Sequence, residues 1–328
     1  MKKSENFSNL IFDNLFKLGV PSMNLIESSK KSFNNFQRRF TAFIAPYNLS
    51  KTAAIYSHEQ WKLRFSHRYQ SYFAPLKWKK LKILAIGIGG YQDHTIGGES
   101  LKTWKTYFPN SMVYGLDIID KRYLEEDRIK ICNCDQNDEH LIQEVLAETG
   151  ELDIIIEDGS SANEHHIKAF HTFFPALKDG GIYAAENIHH SYWPSLKDKK
   201  WSNLAKDSLE LQNWINIGGS LDLNDPKTVM NMFKRLVDGL NYEEFLNPGY
   251  TPSYFDKNIL SIQFYHNLVI LYKGKNYEKS NFIESNTLQP FVLETLGVKS
   301  LEELDLDFSK ANNSINEYTT IEATKLQQ

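Results

Sequence analysis

The chain has 328 residues, 41% hydrophobic and 24% charged, enough to bury a full core as one large or two modest domains. No apolar run reaches the roughly 18 residues that a membrane helix needs. Asp13, Asn14 and Lys17 interrupt the stretch after the basic start Met1-Lys2-Lys3, so neither a membrane span nor a secretory leader is expected.

The net charge of −4 is unevenly spread. Residues 1–82 carry 15 Lys and Arg against 4 Asp and Glu, a balance of +11, which leaves −15 for the remainder. The basic segment reads either as an arm for nucleic acid or a phosphorylated substrate, or as a solvated helical face or a docking surface for an acidic neighbouring subunit. No Arg/Lys-aromatic RNA motif accompanies the charge, which favours the second reading and a homo-oligomer over a nucleic-acid partner.

In chain order, residues 1–50 read as a helical extension. Phe33, Phe36, Phe40 and Phe43 recur there at spacings of 3, 4 and 3 on one face, and Pro21 and Pro46 punctuate the segment. From residue 82 strand and helix alternate. The first strand, Ile83-Leu84-Ala85-Ile86-Gly87-Ile88-Gly89-Gly90, ends in glycines, and a helix over 100–107 follows a loop. The second, Met112-Val113-Tyr114-Gly115-Leu116-Asp117, ends in an aspartate. A third strand over 128–134 carries Cys132 and Cys134, too close along one strand for a mutual disulfide, so a reducing cytoplasm is expected. A helix over 139–148 leads into Leu152-Asp153-Ile154-Ile155-Ile156-Glu157-Asp158-Gly159, which ends in two carboxylates. The next helix spans 162–177, with Ser161-x-x-Glu164 readable as a capping box, and Gly180-Gly181 opens a strand over 182–186. A helix over 227–237 precedes strands over 259–265 and 268–273, joined by a short His266-Asn267 turn, so one of the two runs antiparallel. Residues after 276 read as a surface tail or short helices. The resulting plan is an extension (1–50), a catalytic domain (51–275) and a tail (276–328).

Alternating strands and helices imply a parallel sheet with right-handed crossovers. Ligands of such sheets sit beyond the carboxyl ends of the strands where the order reverses, so a nucleotide-like ligand and several acidic side chains are expected in one crevice. The Gly87-Ile88-Gly89-Gly90 turn lets backbone approach that ligand closely. A third glycine at GxGxxG spacing, which would seat a pyrophosphate, is missing, and Asp117 lies 30 residues beyond Gly87 rather than about 20. S-adenosylmethionine (SAM) has no pyrophosphate, so the spacing favours SAM over NAD.

Several collinear blocks add to this reading. They are Ile86-Gly87-Ile88-Gly89-Gly90-Tyr91, Gly97-Gly98-Glu99-Ser100-Leu101-x-x-Trp104, Tyr107-Phe108-Pro109 and Tyr114-Gly115-Leu116-Asp117-Ile118-x-Asp120-Lys121. Further along come Asp135-Gln136-x-Asp138, the fourth strand through Ser160, Gly180-Gly181-Ile182-Tyr183-x-x-Glu186, Ser191-Tyr192-Trp193, and His266-Asn267-Leu268 with Lys273-Gly274. Over about residues 52–275 the chain resembles the macrolide sugar O-methyltransferases of the mycinamicin and tylosin type. The resemblance implies a Rossmann-like class I methyltransferase sheet, α/β and mostly parallel with a late antiparallel hairpin, below the amino-terminal helical extension. It implies that Gly87, Gly89, Gly90 and Tyr91 line the SAM site together with Ser100 and Glu157. Asp117 is then expected to hold the ribose, and Asp135 and Gln136 to sit against the adenine. It also implies magnesium, held by Asp158 and Glu186 with Asn187 as a weak third ligand. Magnesium prefers one or two carboxylates plus waters and substrate oxygens, and a metal makes a sugar hydroxyl a better nucleophile.

Two departures stand out. Relatives commonly carry histidine as general base where this chain has Ser161, and a second metal carboxylate where it has Asn187. Substitute bases are His165, four residues past Ser161 on one helical face, and His189 or His190 after Glu186, with Asp158 also in the catalytic set. His165 is the first choice, and His166 is expected to point about 100° away. Tyr192 and Trp193 are candidate walls for the acceptor. The fourth strand lacks the Asn/Asp-Pro-Pro-Tyr turn of base-methylating enzymes, so a hydroxyl-rich, glycosylated small molecule is the expected acceptor. A homologue that keeps SAM and has lost catalysis is the alternative.

Overall fold

The structure, a computed structural model, describes residues 48–56, 65–90, 93–135, 138–196, 203, 212 and 214–308. The phenylalanine stripe at Phe33 to Phe43 lies outside them. The chain divides into two compact units, Met1–Ala74 and Pro75–Gln328. In the first, helices α1 (Leu49–Tyr56) and α2 (Ser66–Phe73) are joined by a Ser50–Ser66 hydroxyl pair at 2.6 Å and by the Leu49 N–H on the Gln70 side chain.

In the second unit five strands pair in parallel: β1 (Lys82–Ile86), β2 (Met112–Asp117), β3 (Ile129–Asn133), β4 (Leu152–Glu157) and β5 (Leu177–Glu186). The hairpin of β6 (Ile259–Tyr265) and β7 (Leu268–Lys273) completes the sheet in the order β3-β2-β1-β4-β5-β7-β6, with β7 antiparallel to both neighbours. The hairpin has the expected limits, and its turn places Asn267 at φ +60°, a left-handed conformation that asparagine tolerates better than most residues. The order reverses between β1 and β4. The crevice beyond their carboxyl ends is where a parallel sheet receives its ligand.

Between the strands run α3 (Glu99–Tyr107), α4 (Glu139–Thr149) and α5 (Asn163–Phe173), with α6 (Val229–Gly239) and the short α7 (Tyr254–Asn258) before the hairpin. α4 starts where the Asp138 carboxylate takes the His140 and Leu141 N–H groups at 3.0 and 3.1 Å, a cap typically worth about 1 kcal/mol. α5 stops four residues short of the expected end. Pro175 follows it in a 3-10 turn, and proline has no N–H with which to continue an α-helix. β5 then starts at Leu177, five residues before the expected Ile182. Its first turn carries the exposed Asp179 and Gly180 through a bulge opposite Leu152 and Ile154, so the alternation that marks a strand is lost there. The tail contributes a small hairpin, β8 (Ile283–Glu284) with β9 (Thr287–Leu288), and a short helix α8 (Pro290–Leu296). No helix among the described residues is long and apolar enough to cross a membrane. Cys132 and Cys134 are free, buried thiols.

One aromatic group locks α5, α6 and α7 onto the sheet. The fully buried Phe170 ring lies 5.0 to 5.3 Å from those of Phe174, Tyr183, Phe233 and Phe255. Replacing Phe170 with alanine is expected to cost about 3–5 kcal/mol of stability through the cavity it leaves, read as a lowered urea midpoint.

Candidate active site

The first strand end is shaped by contact with the fourth. Gly87 has φ +79°, and a Cβ there would lie 2.3 Å from both the Asp158 carbonyl oxygen and the Gly159 Cα, so no other residue fits. Its N–H bonds the Leu116 carbonyl at 2.8 Å, and the Asp158 N–H bonds the Ile86 carbonyl at 2.8 Å, which stitches β2, β1 and β4 together at their ends. Asp117 closes β2. Its Oδ2 accepts the Ile88 N–H at 3.2 Å and its Oδ1 accepts the Ile119 N–H at 2.9 Å. Each carboxylate oxygen keeps a further lone pair for a ligand hydroxyl.

These groups wall a cavity of about 210 Å³ formed by Ile86, Gly87, Leu116, Asp117, Cys134, Asp135, Ser160 and His165, among others. Asp117 and Asp135, at successive strand ends, are thus brought together as expected. Tyr91 and Gln136 lie outside the described residues. Gly89, Gly90, Ser100 in the first turn of α3, and Glu157 do not line the cavity. The buried Glu157 carboxylate is occupied instead by the His166 imidazole and by the Gly159 N–H at 3.3 Å. Burial opposes the charged His166 ring, but the Glu157 charge, its hydrogen bond and the nearby Asp158 outweigh that and raise its pKa. His166 points away from the cavity that His165 lines, as its place next to His165 on the helix implies, and is buried against Glu157.

The capping box does not form. Ala162 is the residue before α5, and the Ser160 hydroxyl, not that of Ser161, accepts the Ala162 N–H at 3.1 Å and pairs with His165 Nδ1 at 2.8 Å. His165, the first choice as base, therefore sits in the wall shared with Asp117 and Asp135.

A second group of candidates follows β4 and β5. Glu157 is level with Ala185 across the two strands, so Asp158 and Glu186 leave the sheet side by side. Asn187 has φ +58°, and its amide donates to Asp158 Oδ1. Among the described residues no three of His, Cys, Asp and Glu converge as metal ligands. The available set is two carboxylates and one amide, all offering oxygen, and this fits the hard, partly hydrated magnesium ion rather than a softer metal. Past Asn187, His189 and His190 lie 4.1 Å apart by ring centres and meet Trp193 at 4.6 and 5.3 Å, while Trp193 stacks on Trp214 at 4.7 Å. Tyr192 is exposed.

No family model matches the chain. Demethylmacrocin O-methyltransferase of Streptomyces fradiae is 36% identical over 215 residues, 65% of this chain and 49% of that protein. Mycinamicin VI 2''-O-methyltransferase of Micromonospora griseorubida is 33% identical over 216 residues, again 65% and 49%. The chain is similar to the macrolide sugar O-methyltransferases over about half of their length. A solved structure of MycE methyltransferase from the mycinamycin biosynthetic pathway, in complex with Mg and SAH, superposes with a TM-score of 0.61 at 31% identity, covering 71% of this chain and 56% of that one. The chain has the class I Rossmann-like fold, and it spans about half the length of the curated relatives it matches.

Burial, then the neighbouring His189 and His166, push the His190 pKa from 6.5 down to about 3. The unfolded chain therefore takes up a proton between those values while the folded one does not, so stability falls as pH drops from about 6.5 towards 3. His190→Gln is expected to flatten that limb, measured as a smaller loss of urea midpoint between about pH 7 and about pH 4 than the parent shows.

Proposed function

We propose that the chain is a SAM-dependent O-methyltransferase acting on a hydroxyl of a glycosylated small molecule, assisted by magnesium, in the cytoplasm and as a homo-oligomer. The observation that carries this reading is Asp117, pinned by Ile88 and Ile119 in the same cavity as Gly87 and Asp135. A doubly held carboxylate at the end of β2 suits two vicinal ribose hydroxyls, and the turn beside it has no pyrophosphate seat. The name of one relative, 8-demethyl-8-alpha-L-rhamnosyl tetracenomycin-C 2'-O-methyltransferase of Streptomyces olivaceus, supports the acceptor class.

In this reading Asp117 accepts the ribose hydroxyls and Asp135 faces the adenine, while Gly87 admits the ligand against bare backbone. Asp158, Glu186 and Asn187 hold the ion. When bound, SAM supplies a methyl group on a positively charged sulfur, and magnesium lowers the pKa of a hydroxyl it touches. The strand ends would orient cofactor and acceptor towards each other, and such positioning supplies much of the acceleration of a transfer. His189, two residues past Asn187, is better placed than His165 to take the acceptor proton on its imidazole, since His165 walls the nucleoside end. Loss of the methyl group would convert bound SAM into S-adenosylhomocysteine (SAH), the ligand used in the tests below.

Ser161 and Asn187 favour one second reading, a SAM-binding relative without turnover, because a hydroxyl is no base near neutral pH and an amide brings no charge to the ion. Four variants test the readings. Asp117→Ala should weaken SAH binding in calorimetry by about 1.5–3 kcal/mol, the size of hydrogen bonds to a charged group. Asp158→Ala should abolish magnesium-dependent methyl transfer yet leave SAH affinity nearly intact; activity that survives this change and exhaustive chelation would rule out the metal. His189→Ala should slow single-turnover transfer by roughly 10²–10⁴. If only Ser161→His creates turnover, the second reading replaces the first.

A further inference from the structure

The connection after β2 grips the glycine turn twice. Asp117 takes the Ile88 N–H, and four residues on, Lys121 donates to the carbonyl of the next residue, Gly89. The Lys121 side chain is fully buried, and its ammonium also donates to the Ile96 carbonyl at 3.1 Å. A buried ammonium is costly unless its donors are used, so this placement is specified rather than incidental. The two carbonyls lie at opposite ends of the excursion between the turn and α3. The excursion closes on itself through the Asp93 N–H on Gly90 at 2.9 Å and the Gly98 N–H on Ile88 at 2.7 Å. A Cβ on Gly90 would fall 2.1 Å from the Ile96 oxygen and 2.7 Å from the Lys121 nitrogen, so glycine there is what lets the ammonium bridge both.

We propose that Lys121 is a positioning residue for the amino-acid end of the bound cofactor, an inference that rests on the SAM reading. With the ribose at Asp117 and the adenine at Asp135, the 5′ arm of the ligand runs from Gly87 along Gly89 and Gly90. A trans peptide is planar, so aiming the Gly89 and Ile96 carbonyls at Lys121 turns the Gly90 and Gly97 N–H groups the opposite way. Lys121 thereby sets the direction of backbone groups that meet the methionine arm, while the nucleoside is held by side chains it does not touch.

The test compares SAH with 5′-methylthioadenosine, which has the same nucleoside and sulfur but no amino-acid group. In Lys121→Met, SAH affinity by calorimetry is expected to fall about tenfold or more, and methylthioadenosine affinity to change less than about twofold. Equal losses for both ligands, or no loss for SAH, would overturn the proposal and leave Lys121 a plain structural staple. Should the variant fail to fold by circular dichroism, hydrogen exchange on the wild-type protein decides. SAH is then expected to protect residues 88–90 and 96–98, whereas methylthioadenosine protects only the segments around Asp117 and Asp135; equal protection by the two ligands contradicts the proposal. A wild-type protein that binds neither ligand overturns the SAM reading itself, and the proposal with it.

Discussion

The end of β1 runs so close to the end of β4 that only backbone fits between them. A methyl group on Gly87 would collide with the Asp158 carbonyl and the Gly159 Cα, and everything the crevice can do follows from that approach. The contact brings the two strands on either side of the sheet reversal within reach of one ligand. Asp117 and Asp135 then stand on one side, and Asp158 and Glu186 on the other. A side chain at position 87 would separate the two halves of the site before any functional group was altered.

The surrounding polar groups are organised to hold that approach. Asp117 fastens the turn after β1 to the connection after β2, and Lys121 repeats the grip one residue further. Glu157 is buried and hydrogen-bonded to His166, so the acidic end of β4 presents one outward carboxylate, Asp158, instead of two. The aromatic group around Phe170 lies beneath this pair and keeps α5 pressed on the sheet, which in turn fixes where Ser160 and His165 emerge. Packing and site geometry are thus continuous through a single helix.

Much of this was legible from residue order alone. The limits of β2 and of the β6–β7 hairpin follow from apolar runs bounded by Asp117 and by the His266-Asn267 turn, signals that are local and unambiguous. The start of β5 was not legible, because its bulged first residues, Asp179 and Gly180, are exposed and read as loop. The convergence of Asp117 and Asp135 came from counting strand ends. The helical phase of α5 did not. The capping box of Ser161 and Glu164 does not form, and the Ser160 hydroxyl instead takes the Ala162 N–H and pairs with His165, because the helix begins at Asn163 without a side-chain cap. Lys121 sat in a recognisable block, but a lysine after a strand reads as surface, and only the fold reveals two carbonyls waiting for it.

The most direct test of the account is a crystal structure of the protein grown with SAH and magnesium. The account predicts the ribose hydroxyls on the Asp117 carboxylate, the adenine beside Asp135, and the ion on Asp158 and Glu186 with Asn187 at its edge. SAH bound away from Asp117, or an ion that avoids both Asp158 and Glu186 at full occupancy, would contradict it.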